Sequence, residues 1–183
     1  PWTEADRNLL RRELVGSYLS GEWYGEVGTQ FHTTLQEAAE IRRALDLDDR
    51  KKTAVIFSHI FWDGTFFYGT DLFGSYEEWF VETMKVACAN PHLNWIVKIH
   101  PANIVKNVRD GVGSEPSELT AIRSLGETLP AHVRVVQPDS RMSTLSLYSV
   151  MDYCVTVRGT VGIEAASFGI PVLTAGTGRY DRL

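Results

Sequence analysis

The rhythm of apolar and polar residues changes once along this chain, near residue 50. Before that point the spacing is helical. Leu9, Leu10, Leu14 and Val15 share one face of residues 4–18, with charges between them, which predicts an amphipathic helix. The glycine- and aromatic-rich segment 20–32, SGEWYGEVGTQFH, predicts a loop. Thr33-Thr34 is expected to cap a second helix, with Glu37 three residues after Thr34 in capping-box spacing. That helix runs to about Leu45, and Asp46 to Lys51 is a charged linker.

After residue 50, short apolar runs alternate with amphipathic stretches. Strands are expected at 53–60 (TAVIFSHI), 94–101 (NWIVKIHP), 133–138 (VRVVQP), 153–157 (YCVTV) and 170–175 (IPVLTA). Helices are expected at 75–90, with Ser75 as N-cap and Glu78 three later, from Ser117 to about Leu129, from Ser143 to about Val150, and over 160–168. A loop rich in Gly, Asn and Ser fills 102–116. This alternation predicts an α/β fold: a doubly wound, mostly parallel five-stranded sheet of Rossmann-like type, preceded by N-terminal helices. The expected division is a helical segment and linker over 1–50 and a Rossmann-like domain over 51–183. The chain opens on Pro1-Trp2 and stops at Arg182-Leu183, and it reads as a piece of a longer protein.

In such a sheet the ligand crevice lies at the carboxyl ends of the strands. The polar residues there are Ser58-His59 and Asp63, Lys98 and His100, Gln137 to Asp139, Arg158-Gly159-Thr160, and Gly176-Thr177. The Arg158-Gly159-Thr160 turn opens a helix, whose first N–H groups lack internal partners and favour an anion. Arg158 and the Thr160 hydroxyl add donors, so a phosphate fits there. An equally plain reading has Gly159 only letting strand and helix pack closely. Glu164 follows among apolar neighbours and needs a hydroxyl or cationic partner: a sugar, or Arg158 itself.

Alternation places Lys98 and His100 on one side of the second strand, with Pro101 fixing its exit. His100 can donate to a phosphate, act as acid or base, or cap a loop carbonyl. His59 and Asp63 flank a loop carrying Phe61 and Trp62, where an acceptor sugar could stack and a base operate. The alternatives are an aromatic plug and a turn-forming aspartate. His32 is a weaker candidate. His92 and His132, beside turns, are expected to be solvated.

Composition narrows the classes. A net charge of -5 leaves no basic footprint for nucleic acid and none for an anionic membrane surface. With 44% hydrophobic and 22% charged residues, the chain suits one globular domain. Cys88 and Cys154 are expected as small core residues in a reducing compartment. No run approaches the ~20 apolar residues that span a bilayer. No grouping has metal-ligand spacing, and there is neither a P-loop nor a nucleophile elbow. The segment after the first strand, SHIFWDG, lacks the three glycines of a dinucleotide fingerprint, which disfavours NAD.

HIFWDGTFF after the first strand, KIHP at the second and VRGTVGIEAASFGIPVLTAG at the end resemble bacterial capsular polysaccharide synthesis proteins. These are GT-B glycosyltransferase-like, akin to Kdo and sialic acid transferases with a His-Pro motif. The resemblance covers roughly residues 53–182, about the donor-binding half of such an enzyme. It implies transfer from a CMP- or UDP-linked sugar to a saccharide acceptor, with no separate cofactor and no metal. It also implies a cytoplasmic setting, with room for peripheral contact with capsule machinery at the inner membrane face. By resemblance His100 contacts the donor phosphate or nucleotide, and Arg158, Gly159 and Thr160 hold the phosphate at the helix start. Glu164 then meets ribose or sugar hydroxyls, and Gln137 and Ser143 lie near the base. Many retaining members carry a second glutamate eight residues before the one in the Glu-Ala pair; here Thr156 stands there, which leaves room for inversion. The tail also resembles UDP-N-acetylglucosamine 2-epimerases, so an isomerase and a non-catalytic nucleotide- or polysaccharide-binding domain are the alternatives.

Overall fold

Five short runs of β-branched and aromatic residues pair side by side into one sheet, every pairing parallel. In the computed structural model, which describes residues 3–20, 34–62, 71–102, 104, 115–126 and 128–178, the strands are β1 (Thr53–Phe57), β2 (Asn94–Lys98), β3 (Val133–Val136), β4 (Tyr153–Thr156) and β5 (Val172–Thr174). Their order across the sheet is β3-β2-β1-β4-β5. The helices are α1 (Glu4–Ser20), α2 (Ala38–Ala44), α3 (Tyr76–Ala89), α4 (Ser117–Ser124), α5 (Thr144–Tyr148) and α6 (Val161–Ser167). The expected doubly wound α/β fold is what forms, and the sheet is wholly parallel.

Burial on both faces explains the composition of the central strands. Every residue of β1 and β2 is buried. Ala54, Ile56, Trp95, Val97 and Val155 meet Tyr76, Trp79, Phe80 and Met84 of α3 and Ala121 and Ile122 of α4 on the first face. Val55, Phe57, Ile96 and Cys154 meet Ile41 of α2, Leu147 of α5 and Ala165 of α6 on the second. α1 lies against α6, and α2 against α5, so the N-terminal segment is layered on the second face.

Local signals place several boundaries. Ser75 caps α3 by accepting the Glu78 N–H at 3.0 Å, and Ser143 caps α5 by accepting the Ser146 N–H at 3.0 Å. The second helix begins later than Thr34 predicts. Glu37 is its N-cap, and its N–H donates to the Glu40 carboxylate at 3.2 Å, while Thr34 instead bridges to Met142. α4 stops at Ser124 and not near Leu129, because Gly126 turns the chain at a φ of 151°, a conformation that glycine adopts without steric cost. β1, β2 and β3 end earlier than their apolar runs, at residues 57, 98 and 136, where the chain turns into the carboxyl-edge loops.

The amino edge is closed by short polar ties. Asn94 donates to the Asp48 carbonyl at 2.9 Å, and Asp152 accepts the Thr53 N–H at 2.8 Å. The carboxyl edge carries the candidate site.

Candidate functional site

The strand order fixes where a ligand can enter. β1, β2 and β3 step one way across the sheet through α3 and α4. β4 and β5 return on the other side of β1 through α5 and α6. The crevice at such a reversal opens between the carboxyl ends of β1 and β4. Ser58 and His59 leave β1 there, and Val157 to Thr160 leave β4. The tips of β2 and β4 share this edge and flank β1, so they stand two inter-strand spacings apart, about 10 Å.

The β2 tip is wired to the β1 tip. The Ser58 N–H donates to the Lys98 carbonyl at 3.1 Å, and the Ser58 hydroxyl accepts the His100 N–H at 3.1 Å. The His100 Nδ1 accepts the Ala102 N–H at 3.1 Å, which puts the proton of the neutral ring on Nε2. His100 is half-buried, so that Nε2 donor is held by a turn built around Pro101. Strand alternation ends at Lys98 and does not itself orient His100. Lys98 is buried, and its Nζ donates to the carbonyls of Ile99 at 3.5 Å and Gln137 at 3.4 Å. Burial lowers its pKa to about 8, against a smaller raising effect of Asp139.

The β1 and β4 tips meet through aromatic and charged groups. His59 stacks on Tyr76 with ring centroids 4.1 Å apart and 14° between planes. The Arg158 guanidinium lies 5.9 Å from the same Tyr76 ring and forms an ion pair with Asp71. Arg158 and Asp71 side chains are 5% and 16% exposed. Arg158 therefore answers to Asp71 on the first face, and no ion pair joins it to Glu164 among the described residues. Gly159 packs closely, since a Cβ there would stand 3.2 Å from the Thr156 hydroxyl. Thr160 is exposed at the start of α6, and its side chain does not cap the helix.

Glu164 is buried on the second face, where the Tyr148 hydroxyl donates to its Oε2 at 2.8 Å and the Tyr18 hydroxyl donates to the same oxygen. Hydroxyls do satisfy this carboxylate, and the chain supplies them. Burial, and next the Glu164 charge, push the Tyr148 phenol upward and the Cys154 thiol up to about 12. Ser143 spends its hydroxyl on capping α5, 2.7 Å from the Ser146 hydroxyl, and Gln137 is exposed at the β3 tip.

Phe61 packs edge-on against Phe80 at 5.4 Å as a plug over the first face, whereas Trp62 is 47% exposed. Asp63 and His32 lie outside the described residues. His92 is exposed as expected; His132 is not simply solvated, because its Nε2 sits 3.0 Å from the Ala87 carbonyl oxygen. Cys88 and Cys154 are free thiols, half-buried and buried. Among the described residues no group of three or more His, Cys, Asp and Glu could hold a metal ion, and no helix is long and apolar enough to cross a membrane.

Sequence reasoning missed Asp71, Tyr76, Tyr18 and Tyr148. Tyr18 follows Leu14 by four residues on the inward stripe of α1, and that spacing was a usable signal. Asp71 carries no local signature, because its partner is distant in sequence.

No protein-family model matches the chain, and no curated protein matches it. Solved structures similar to it include Thermosulfurimonas dismutans KpsC, as β-Kdo 2,4 transferase, at 18% identity over 73% of this chain and 36% of that one, TM-score 0.45. The same protein as β-Kdo 2,7 transferase shows 17% identity over 92% and 51%, TM-score 0.43. UDP-GlcNAc 2-epimerase from Neisseria meningitidis shows 17% identity over 74% and 30%, TM-score 0.48. The chain thus spans 30% to 51% of the length of these proteins.

Proposed function

We propose that this domain binds the nucleotide-activated donor of a glycosyltransferase that works in capsular or surface polysaccharide assembly. The observation that carries the reading is the arrival of His59, His100 and the Gly159-Thr160 turn at one carboxyl edge, on both sides of the β1/β4 reversal. The donor, CMP- or UDP-linked, lies across that edge. Its phosphate meets the Nε2 donor of His100 and the Gly159-Thr160 turn, which Arg158 anchors from behind. As the glycosidic bond breaks, charge grows on the leaving phosphate, and donors already in place stabilise it without reorganising. Lys98 adds positive potential at the β2 tip. Gln137 and the Ser143 end of α5 flank the base, and Glu164 accepts ribose or sugar hydroxyls where the Tyr18 phenol now stands. The acceptor hydroxyl loses its proton to His59 or to Asp63. With Thr156 and no carboxylate in the strand before the turn, the reading leaves room for inversion.

Calorimetry with CMP and with UDP tests this on the chain as it stands. His100→Ala and Thr160→Val are expected each to weaken the preferred nucleotide about tenfold, or roughly 1.4 kcal/mol. Equal binding by wild type and both variants, or no binding of either nucleotide by the wild type, overturns the reading.

A further inference from the structure

Asp71 is held by backbone and not by chance of side-chain packing. It forms an antiparallel bridge with Gly176, and the Leu72 N–H donates to the Ala175 carbonyl at 2.9 Å. The Ala175 and Gly176 N–H groups donate in turn to the carbonyls of Thr156 and Val157, at 3.1 and 3.2 Å. The main chain at Asp71 is therefore pinned to the end of β5, and through it to the end of β4. The carboxylate then crosses the bare face of Gly176 to reach Arg158. A side chain at Gly176 would collide with that carboxylate and come within 3.2 Å of the Arg158 Nη2. Glycine there is the space the ion pair occupies.

A buried guanidinium follows its counter-charge, because leaving it unpaired is costly. Arg158 goes where Asp71 holds it, which is beside the ring of Tyr76, itself 2% exposed. Tyr76 is the surface on which His59 stacks. A connected series, Asp71 to Arg158 to Tyr76 to His59, thus runs from the β5 tip over β4 to the β1 tip.

We propose that Asp71 is a positioning residue for the rim: through Arg158 and Tyr76 it sets the place of the His59 ring at the β1/β4 reversal. This builds on the reading that His59 works there, and its geometric part is testable without any ligand. A purely structural ion pair would change stability and leave the imidazole where it was.

The test is NMR of the histidine ring protons in the full chain, with exposed His92 as internal reference. Stacking on Tyr76 displaces the His59 ring protons upfield. Asp71→Asn is expected to remove much of that displacement and Asp71→Glu to restore part of it, with His92 unmoved. Because Asp71→Asn leaves a buried guanidinium uncompensated, an Asp71→Leu/Arg158→Met double variant accompanies it. Apolar replacement of a buried pair is commonly tolerated, so this variant is expected to fold and to lose much of the upfield displacement of the His59 signal. Unchanged His59 resonances in the folded double variant overturn the proposal, whatever the melting temperatures do. A CMP and UDP titration separates the two claims. Failure of the wild type to bind removes the nucleotide reading and leaves the ring result standing. Binding that persists beside an unmoved His59 ring removes the role of Asp71 alone.

Discussion

Arg158 and Glu164 belong to one turn and one helix, yet the protein neutralises them in opposite ways. On the first face the Arg158 cation meets a full counter-charge, Asp71. On the second face ionisable groups meet neutral dipoles: Glu164 takes two phenol hydroxyls, and Lys98 leans on the carbonyls of Ile99 and Gln137. The first arrangement cancels charge and fixes geometry through a pair. The second leaves charge in place: burial, and next the Glu164 charge, push the Cys154 thiol up to about 12, and burial draws the Lys98 amine down to about 8 against a smaller raising effect of Asp139. A carboxylate solvated only by hydroxyls can exchange one hydroxyl for another, whereas a paired guanidinium cannot leave its partner cheaply. The first face is therefore suited to holding the rim rigid, whereas on the second the chain's own hydroxyls satisfy the carboxylate.

Removing one member of the ion pair is the harshest test of this contrast. Arg158→Ala strands a largely buried carboxylate and is expected to cost about 3–5 kcal/mol, read from urea unfolding. A loss under about 1 kcal/mol, the range of exposed pairs, would erase the distinction between the faces.

Lys98 gives the second face a pH signature. Its pKa is about 8 when folded against 10.5 for a free lysine, so the unfolded chain holds the proton more tightly. Its destabilising effect is complete below about pH 8 and fades as the pH rises toward 10.5, at roughly 1.4 kcal/mol for each pH unit between them. Stability is thus expected to rise over that window in wild type relative to Lys98→Met, in paired denaturation series. Parallel curves for the two proteins would show that Lys98 keeps its ordinary proton affinity.

The mildest effects concern the phenols. Tyr148→Phe removes a donor from a buried carboxylate and is expected to cost about 1.5–3 kcal/mol. Tyr18→Phe, on the half-buried end of α1, should cost less. The reverse ranking in thermal unfolding would mean that α1, and not α5, is the main support of Glu164.

The strand-helix alternation, the Ser75 cap and the position of the rim were legible because each depends on neighbours within a few residues. The Thr34 cap failed because Glu37 and Glu40 offered a competing capping box only slightly downstream. Lys98 and His100 were placed at the right edge, but their orientation was not readable, since alternation stops where the strand stops. Glu164 was read as needing a hydroxyl or cationic partner, and nothing local indicated that Tyr18 and Tyr148 would supply the hydroxyls.

The amino-acid order alone determined a parallel α/β sheet and placed residues such as His59, His100 and Thr160 at its carboxyl edge, because periodicity and burial are short-range properties. Only the tertiary structure decided which charge met which partner. Asp71 and Arg158 come together because the β5 end, strapped to β4, holds the Asp71 backbone opposite Gly176. A contact between residues so distant in the chain is set by the packing of layers, and no local pattern encodes it.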